Sequence, residues 1–416
     1  MNADPSQQSL KRVHWGILIL WGFSLWLRLK LAPQTLFAED EARIFEMTSA
    51  FYEGESLPTH GAAVVYSGTS IPGSLLALLA GVPLWTTQGH PVGTAIAIAC
   101  FNSWGVLMLY WVLAERLVCI PRLILGAWIF FSPWSLLMNS AVNPHFLIPF
   151  SVAWLWSLLR LTDPGTKKTL PSLVLSASIV LMAQLHLSAA AVAGTTALVW
   201  LFKKESRPNW IAALAGILLG GMTLIPWLSS PEIASSATEM GKNTLLHGDL
   251  SRPFQFFSRW LTFPTADVVR FITPGHGYSG LIPLLKTHPV LWAPAILALL
   301  GSLAIGVLGL RSFWKNSPQH RFLIQICGTA VAVTSLLYFF SIKGPSAHTF
   351  WIWFPISFIP AAVALDQWRW SRLQKAIAGL YLVSALLFSL GVTKHIEQEL
   401  QSKRIRVMDW TPASSR

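Results

Sequence analysis

Apolar runs of membrane-spanning length recur along the whole 416-residue chain, and this feature limits its fold more than any other. A helix needs about 20 apolar residues to cross hydrocarbon. Hydrophobic residues make up 53% of the chain and charged residues only 12%, about half the charged fraction of a typical soluble protein. The pattern predicts an all-α integral membrane protein with about eleven transmembrane helices. They fall at about 14–32, 92–114, 123–138, 146–161, 170–187, 188–202, 210–228, 289–310, 322–341, 351–366 and 376–392.

One further apolar segment is "GSLLALLAGVPLW" at 73–85. The charges of the loops indicate whether it crosses the membrane. It is shorter than a spanning helix needs. Cytoplasmic loops carry an excess of Lys and Arg. With Lys11 and Arg12 in the cytoplasm, a crossing by 73–85 would place most basic loops outside. We therefore expect 73–85 to be a juxtamembrane helix that does not cross. We also expect the later basic loops to be cytoplasmic. Their basic residues are Arg116, Arg122, Lys167, Lys168, Lys203, Lys204, Arg207, Arg311 and Arg321.

This topology predicts one transmembrane domain, 1–392, followed by a short C-terminal tail, 393–416. The long outside segments are 33–91 and 229–288, and the tail also lies outside. The net charge of +12 is explained by the bias toward basic cytoplasmic loops, which excludes nucleic acid as the expected partner and leaves the lipid bilayer. Three scattered cysteines indicate neither a disulfide framework nor a metal site.

An acidic cluster, "LFAEDEARIFEM" at 36–47, follows the first apolar segment directly. Carboxylates facing hydrocarbon are costly, so this cluster must lie in water, at the interface or in a pocket. Residues 39–52 have the spacing of a short amphipathic helix. Two interpretations stay open: the acids stabilise the first turn of that helix, or Asp40 is a general base that takes a proton from an attacking hydroxyl.

Polar residues inside apolar segments are the next candidates. Arg28 lies in the outer half of the first segment, where it either has a function or extends its side chain to the interface. Gln184 and His186, in "MAQLHLSAA", either bond to exposed backbone or face a central cavity.

Three further candidates lie at predicted outside turns. His145 follows the helix break at Asn143 and Pro144, in a position to contact substrate. Lys343 and His348, in "KGPSAHTFWIWFP", lie at the mouth of two predicted spans. There they either neutralise a phosphate group or are ordinary interface residues.

Five motifs together resemble a known family. They are "FAEDEARIF", "LPTHGAAVVYSGTSIPGSLLALL", "SPWSLLMNSAVNPHFLIPF", "AQLHLSAA" and "AHTFWIWFP". Their order and spacing are similar to those of the polytopic GT-C glycosyltransferases. The nearest branch contains protein O-mannosyltransferases, the lipid A aminoarabinose transferase and rhizobial lipopolysaccharide core transferases.

This resemblance implies a membrane glycosyltransferase with a polyprenyl-phosphate-linked sugar donor and inversion at the anomeric carbon. It implies transfer at the periplasmic face of a bacterial inner membrane, onto a hydroxyl of a lipid, glycan or protein. It makes Asp40 the catalytic acid/base and Glu41 its supporting partner. We assign donor-phosphate binding to Arg28, Lys343 and His348, and substrate binding to Arg43, His145, Gln184 and His186.

The sequence departs from that family in one motif. "YSGTSIPG" stands where protein mannosyltransferases have a His-Pro-Pro stretch, which argues against a protein acceptor. We predict no cofactor and no metal ligand set, although use of a divalent metal stays open.

Two other functions remain as alternatives, a transporter or flippase of lipid-linked sugars and a polysaccharide polymerase. Many transporters have internal repeats and charged residues at the membrane midplane. Here no repeat is detected and six of the eighteen acids lie in 33–91. The chain also has no Gly-rich phosphate-binding loop, so a nucleotide-driven reaction has no support. These features favour the glycosyltransferase.

Overall fold

A computed structural model describes residues 5–37, 39–64, 69–137, 139–140, 142–230, 248–265, 281–315, 317–341, 344–345, 347–401 and 405–410. Helices dominate these ranges. In chain order they are α1 (Pro5–Leu31), α2 (Glu39–Tyr52), α3 (Leu75–Gly81), α4 (Val92–Arg116), α5 (Arg122–Phe130), α6 (Pro133–Leu137), α7 (Leu147–Arg160), α8 (Thr169–Ala183), α9 (Ala189–Phe202), α10 (Trp210–Gly221), α11 (Ile225–Leu228), α12 (Ser251–Thr262), α13 (Leu281–Thr287), α14 (Trp292–Trp314), α15 (Arg321–Phe340), α16 (Ala347–Ile352), α17 (Phe354–Ser357), α18 (Ile359–Asp366) and α19 (Arg372–Gln401).

The eleven predicted apolar segments each coincide with one helix or with a broken series of helices, which confirms a helical, multi-span fold. Within the described residues, six helical segments are long and apolar enough to cross a membrane: His14–Gln34, Val92–Arg116, Trp210–Leu228, Pro289–Trp314, Arg321–Phe340 and Arg372–Val392. The other passes are shorter or interrupted, for example between α5 and α6 and between α16 and α18. The total of eleven membrane crossings therefore stays a prediction.

Helices α1 and α4 run antiparallel, and this fixes the position of the first loop. The ring of His14, near the start of α1, contacts Trp111, near the end of α4, at a centroid distance of 5.7 Å. Ala32, just after α1, is buried together with Ala95 and Ala99 near the start of α4. The loop 33–91 thus begins and ends at the same end of the bundle, as expected if 73–85 does not cross. Helix α3 and the 3₁₀ helix Val82–Thr87 follow one another within this loop.

At one end of the bundle, polar contacts join loops that were predicted to lie on the same side of the membrane. Arg116 pairs with Asp163 at 2.6 Å, and Arg160 pairs with Glu115 at 2.8 Å. Lys168 Nζ donates to the Arg207 carbonyl at 3.1 Å. We call this the basic end; it comprises residues 115–122, 160–169, 202–210, 314–315, 317–321 and 366–372.

Asp366 ties the last of these loops to the first. Its carboxylate accepts the backbone N–H groups of Cys119 and Ile120 at 2.6 and 2.8 Å, and it lies 3.1 Å from Nε2 of His320. A buried carboxylate needs such donors to offset its lost hydration. The prediction that the basic loops share one side agrees with these contacts.

The opposite end, here called the cavity end, contains the loop 33–91 and the described part of the C-terminal tail. Four short strands, β1 (Leu36–Phe37), β2 (His60–Val64), β3 (Thr69–Pro72) and β4 (Ile405–Arg406), add to the predicted all-α architecture. β2 pairs with β3 and β1 pairs with β4, both antiparallel.

The second long loop, 229–288, is described only at 229–230, 248–265 and 281–288. Helix α12 (Ser251–Thr262) lies in this loop. Its Phe256 ring stacks on Tyr338 and on Phe350, with centroid distances of 6.0 and 5.3 Å. One side of α12 therefore packs on the protein, while Phe254 on the helix is exposed.

We predict that Glu53→Cys and Lys167→Cys, each in a variant without the three native cysteines, become accessible to an impermeant thiol reagent from opposite sides of the membrane. Both side chains are exposed in the structure. The charge bias places Glu53 outside and Lys167 inside. Labelling of both sites from the same side of intact cells would mean that 73–85 crosses.

Candidate active site

A cavity of about 470 Å³ opens at the cavity end, between α2, the β2–β3 hairpin and the facing ends of α15 and α16. Much of its wall is apolar, including Ile44 and Met47 of α2. Its polar wall residues come from distant parts of the chain: Asp40, Arg43, His60, Ser70, Asn143, His186, Tyr338, Ser341 and Thr349.

Helix α2 brings the acidic motif to this cavity. Asp40, Arg43, Ile44 and Met47 all line the wall, as expected for one face of a helix with 3.6 residues per turn. The side chains of Asp40 and Arg43 form an ion pair across one turn and remain 55% and 56% exposed. The carboxylate predicted to be catalytic is therefore open to a substrate and paired with a cation. Glu41 is buried at 8% exposure and lies outside the cavity wall.

Two histidines, His60 and His186, line the cavity, and only His186 was predicted. Nδ1 of His186 accepts the backbone N–H of Ser188 at 3.2 Å, so the neutral ring carries its proton on Nε2. His60 begins β2, and its Nδ1 lies 2.8 Å from the Thr59 hydroxyl. His60 lies within the quoted "LPTHG" motif, but a single His among apolar and turn residues gives no signal of its own.

The remaining polar wall lies where α15 gives way to α16. The hydroxyls of Tyr338 and Thr349 are hydrogen-bonded to each other. Behind them Arg259 donates to the Pro345 carbonyl at 3.0 Å and lies over the Phe350 ring, 4.9 Å from its centroid. Neither hydroxyl was selected from sequence, since Tyr and Thr are common in such segments.

Lys343 and His348 are the two predicted phosphate-binding residues of this region, and the structure describes only the second of them. Lys343 lies outside the described residues, although Ser341 and Gly344 on either side of it line the cavity. His348 lies in the first turn of α16, next to Thr349.

Arg28 and His145 lie in the protein interior and do not line this cavity. Arg28 is fully buried, and its guanidinium donates to the Phe130 carbonyl at 3.3 Å and the Ser24 hydroxyl at 3.4 Å. It does not extend to the interface. His145 Nδ1 lies 2.7 Å from the Ser140 carbonyl, and its ring is 4.0 Å from that of Trp351.

Gln184 also lies behind the cavity, where it joins helix ends. Its side-chain amide donates to the Gly220 carbonyl at 2.8 Å and accepts from the Thr223 hydroxyl at 2.6 Å. The Thr223 carbonyl in turn accepts the Ser74 N–H at 2.9 Å. Gln184 therefore bonds to backbone, the first of the two alternatives that the sequence left open. Together these bonds hold the end of the β2–β3 hairpin in place. Within the described ranges, no three His, Cys, Asp or Glu side chains come together as a metal site.

The fold and cavity define a polytopic helical membrane protein with a GT-C-like architecture. The chain superposes on the crystal structure of ArnT from Cupriavidus metallidurans bound to undecaprenyl phosphate, with a TM-score of 0.57, 12% identity, and coverage of 94% of this chain and 76% of that chain. For the same protein in the apo state the TM-score is 0.56, the identity 12%, and the coverage 98% and 78%. No protein-family profile matches the sequence, and no curated protein matches it.

We predict that Gly73→Ala destabilises the protein more than Gly54→Ala. Both glycines have a positive φ, +103° and +95°, but a Cβ on Gly73 would lie 2.4 Å from Gln184 Oε1, whereas a Cβ on Gly54 meets nothing within 4 Å. Both variants pay for strained backbone, about 1–3 kcal/mol. Gly73→Ala adds about 1–3 kcal/mol of overpacking. Thermal unfolding in detergent measures the difference, and equal midpoints would contradict the Gln184 contact.

Proposed function

We propose that this protein is a membrane glycosyltransferase that moves a sugar from a polyprenyl-phosphate donor to an acceptor hydroxyl. The observation that carries the proposal is the exposed Asp40–Arg43 pair in the wall of the cavity. The GT-C-like fold supports it, because the similar ArnT structure is bound to undecaprenyl phosphate.

The reaction needs a base for the acceptor and stabilisation for the departing phosphate. The acceptor oxygen attacks the anomeric carbon, and its proton passes to the Asp40 carboxylate. The bond from the anomeric carbon to the phosphate oxygen breaks, and its electron pair stays on the phosphate. This single displacement inverts the anomeric centre, an outcome that comes from the resemblance.

Arg43 has two partners available in this scheme. Its guanidinium forms an ion pair with the Asp40 carboxylate. A phosphate entering the cavity offers the planar guanidinium a second, more highly charged acceptor. Sharing Arg43 with the phosphate brings donor and base together, because Arg43 and Asp40 are one turn apart on a single helix.

The opposite wall suits the rest of the phosphate. The Tyr338 and Thr349 hydroxyls supply neutral hydrogen bonds. We assign Lys343 and His348, which fall between them in the sequence, as the cationic partners of the phosphate. His186 lines the same cavity, and we assign it to substrate binding. The cavity lies at one end of the bundle, where a lipid phosphate at the water–lipid boundary can enter it.

The cavity end is proposed to face the periplasm of a bacterial inner membrane, because the basic loops lie at the other end. The acceptor is a hydroxyl of a periplasmic lipid, glycan or protein. The departure at "YSGTSIPG" makes a lipid or glycan the preferred class.

We expect Asp40→Asn to lower kcat by about a hundred- to ten-thousandfold, the usual contribution of a positioned general base. The amide keeps the size of the carboxylate but cannot accept the proton. Transfer of radiolabelled sugar from a polyprenyl-phosphate donor by purified protein measures the effect. Glu41→Gln, which changes a residue assigned support, should lose less.

Glu46→Gln is the matched control for Asp40→Asn. Glu46 is an exposed acid on the same helix, and it lies outside the cavity wall. If the acids only stabilise the helix, Asp40→Asn will keep its turnover and lose only about 0.3–1 kcal/mol of stability. That result would end the catalytic assignment of Asp40.

Arg43→Gln should raise the KM for the lipid donor about tenfold or more, because a hydrogen bond between charged groups contributes about 1.5–3 kcal/mol. Arg43→Lys should recover only part of the affinity, since an ammonium cannot form the two parallel bonds of a guanidinium. Steady-state kinetics with varied donor concentration measure both variants. An unchanged donor KM in Arg43→Gln would contradict the proposed phosphate contact.

A further inference from the structure

The described end of the chain, residues 405–410, lies against the first loop; we call it the C-terminal strap. Its strand Ile405–Arg406 pairs antiparallel with Leu36–Phe37. The N–H of Val407 continues the pairing by donating to the Thr35 carbonyl at 2.9 Å. Two-residue strands have no stability of their own, so other contacts must hold the strap.

The side chains of Arg406 and Val407 supply some of those contacts. Val407 is completely buried in a cluster with Ala32, Ala95 and Ala99. Arg406 donates to the Gln34 side-chain oxygen at 3.1 Å. The strap is thereby anchored on the junction where α1 ends and α4 begins.

Trp410 extends the strap onto helix α2. Its ring meets Phe45 edge to face at a centroid distance of 4.9 Å and meets His90 at 5.6 Å. Phe45 also meets Phe37 of β1 edge to face at 5.7 Å. Edge-to-face pairs at these distances are favourable beyond their buried area. Phe45 is therefore held between the strap and the strand that precedes α2.

Phe45 and Asp40 lie on different faces of α2. At 3.6 residues per turn they are about 140° apart around the helix axis. The strap packs on the face that carries Phe45, and the cavity lies on the face that carries Asp40, Arg43 and Ile44. A shift of α2 toward the strap would move the carboxylate away from the opposite cavity wall.

We propose that the C-terminal strap is a positioning element for α2 and that Trp410 sets the distance between Asp40 and the bound donor. This inference rests on the proposed glycosyl transfer for its kinetic consequence. The reaction is sensitive to such a contact, since misplacement of a reacting group by about 1 Å costs up to a hundredfold in rate.

Trp410→Ala in the full-length protein tests the proposal. We expect kcat to fall about tenfold to a hundredfold, and the donor KM to rise as well, because Arg43 lies on the same helix and moves with Asp40. Hydrogen exchange of the amides of residues 39–52 should speed up. Trp410→Phe, which keeps an aromatic ring against Phe45, should restore most of kcat and of the protection.

Met408→Ala is the control within the strap, because Met408 is 45% exposed. It should match the wild type in exchange and in kcat. Unchanged exchange across 39–52 in Trp410→Ala would overturn the packing claim. Faster exchange with wild-type kcat would overturn the positioning claim.

Failure of the proposed function gives a different result. In that case the wild-type protein transfers no sugar from the lipid donor, while the exchange experiment still decides whether the strap holds α2.

Discussion

Hydrocarbon offers no hydrogen-bond partner, and this constraint determines where the protein can carry out chemistry. Some hydroxyls inside the bundle donate to a carbonyl of their own helix: Thr195 donates to the Ala191 carbonyl at 2.7 Å and Thr334 to the Ala330 carbonyl at 2.6 Å. Such groups are occupied by the fold. Polar side chains that can meet a substrate are therefore found at the end of the bundle, where water and lipid head groups are within reach.

The two ends of the bundle are built differently, and the difference matters for the proposed reaction. At the basic end, ion pairs and the buried Asp366 carboxylate connect neighbouring loops directly. At the cavity end, neighbouring segments are connected by a few hydrogen bonds of Gln184 and by the packing of Trp410. The cavity end keeps its remaining polar groups around an open volume, which is the arrangement a site needs if it is to admit a lipid phosphate and an acceptor.

The parts of the structure that follow from regular patterns are predictable from the sequence. The apolar segments gave the helices, and the charges of the loops grouped Arg116, Lys168 and Arg207 at one end. The acidic motif and a resemblance to GT-C enzymes pointed to Asp40, Arg43 and His186, which the fold brings to one cavity. The fold comparison supports the architecture, while the roles of these residues remain proposals.

Other features had no sequence signal, for physical reasons. The pairing of Leu36–Phe37 with Ile405–Arg406 joins opposite ends of the chain through strands too short to show a period. Tyr338 is a cavity residue because the end of α15 and helix α2 line the same cavity. An Arg in an apolar segment has the same appearance whether it reaches the surface or, like Arg28, finds carbonyl and hydroxyl partners in the interior. The sequence likewise does not show whether Gln184 faces a cavity or bonds to backbone. Its bonds to Gly220 and Thr223 show that it lies behind the cavity.

The central claim is that the cavity takes the phosphate of a polyprenyl lipid beside Asp40. A polyprenyl phosphate carrying a photoreactive group next to its phosphate, crosslinked to the protein in membranes and mapped by mass spectrometry, tests this claim most directly. We expect crosslinks within residues 39–64 and 338–349, competed away by unlabelled polyprenyl phosphate. Competable crosslinks confined to residues 115–122 or 160–169, at the basic end, would contradict it.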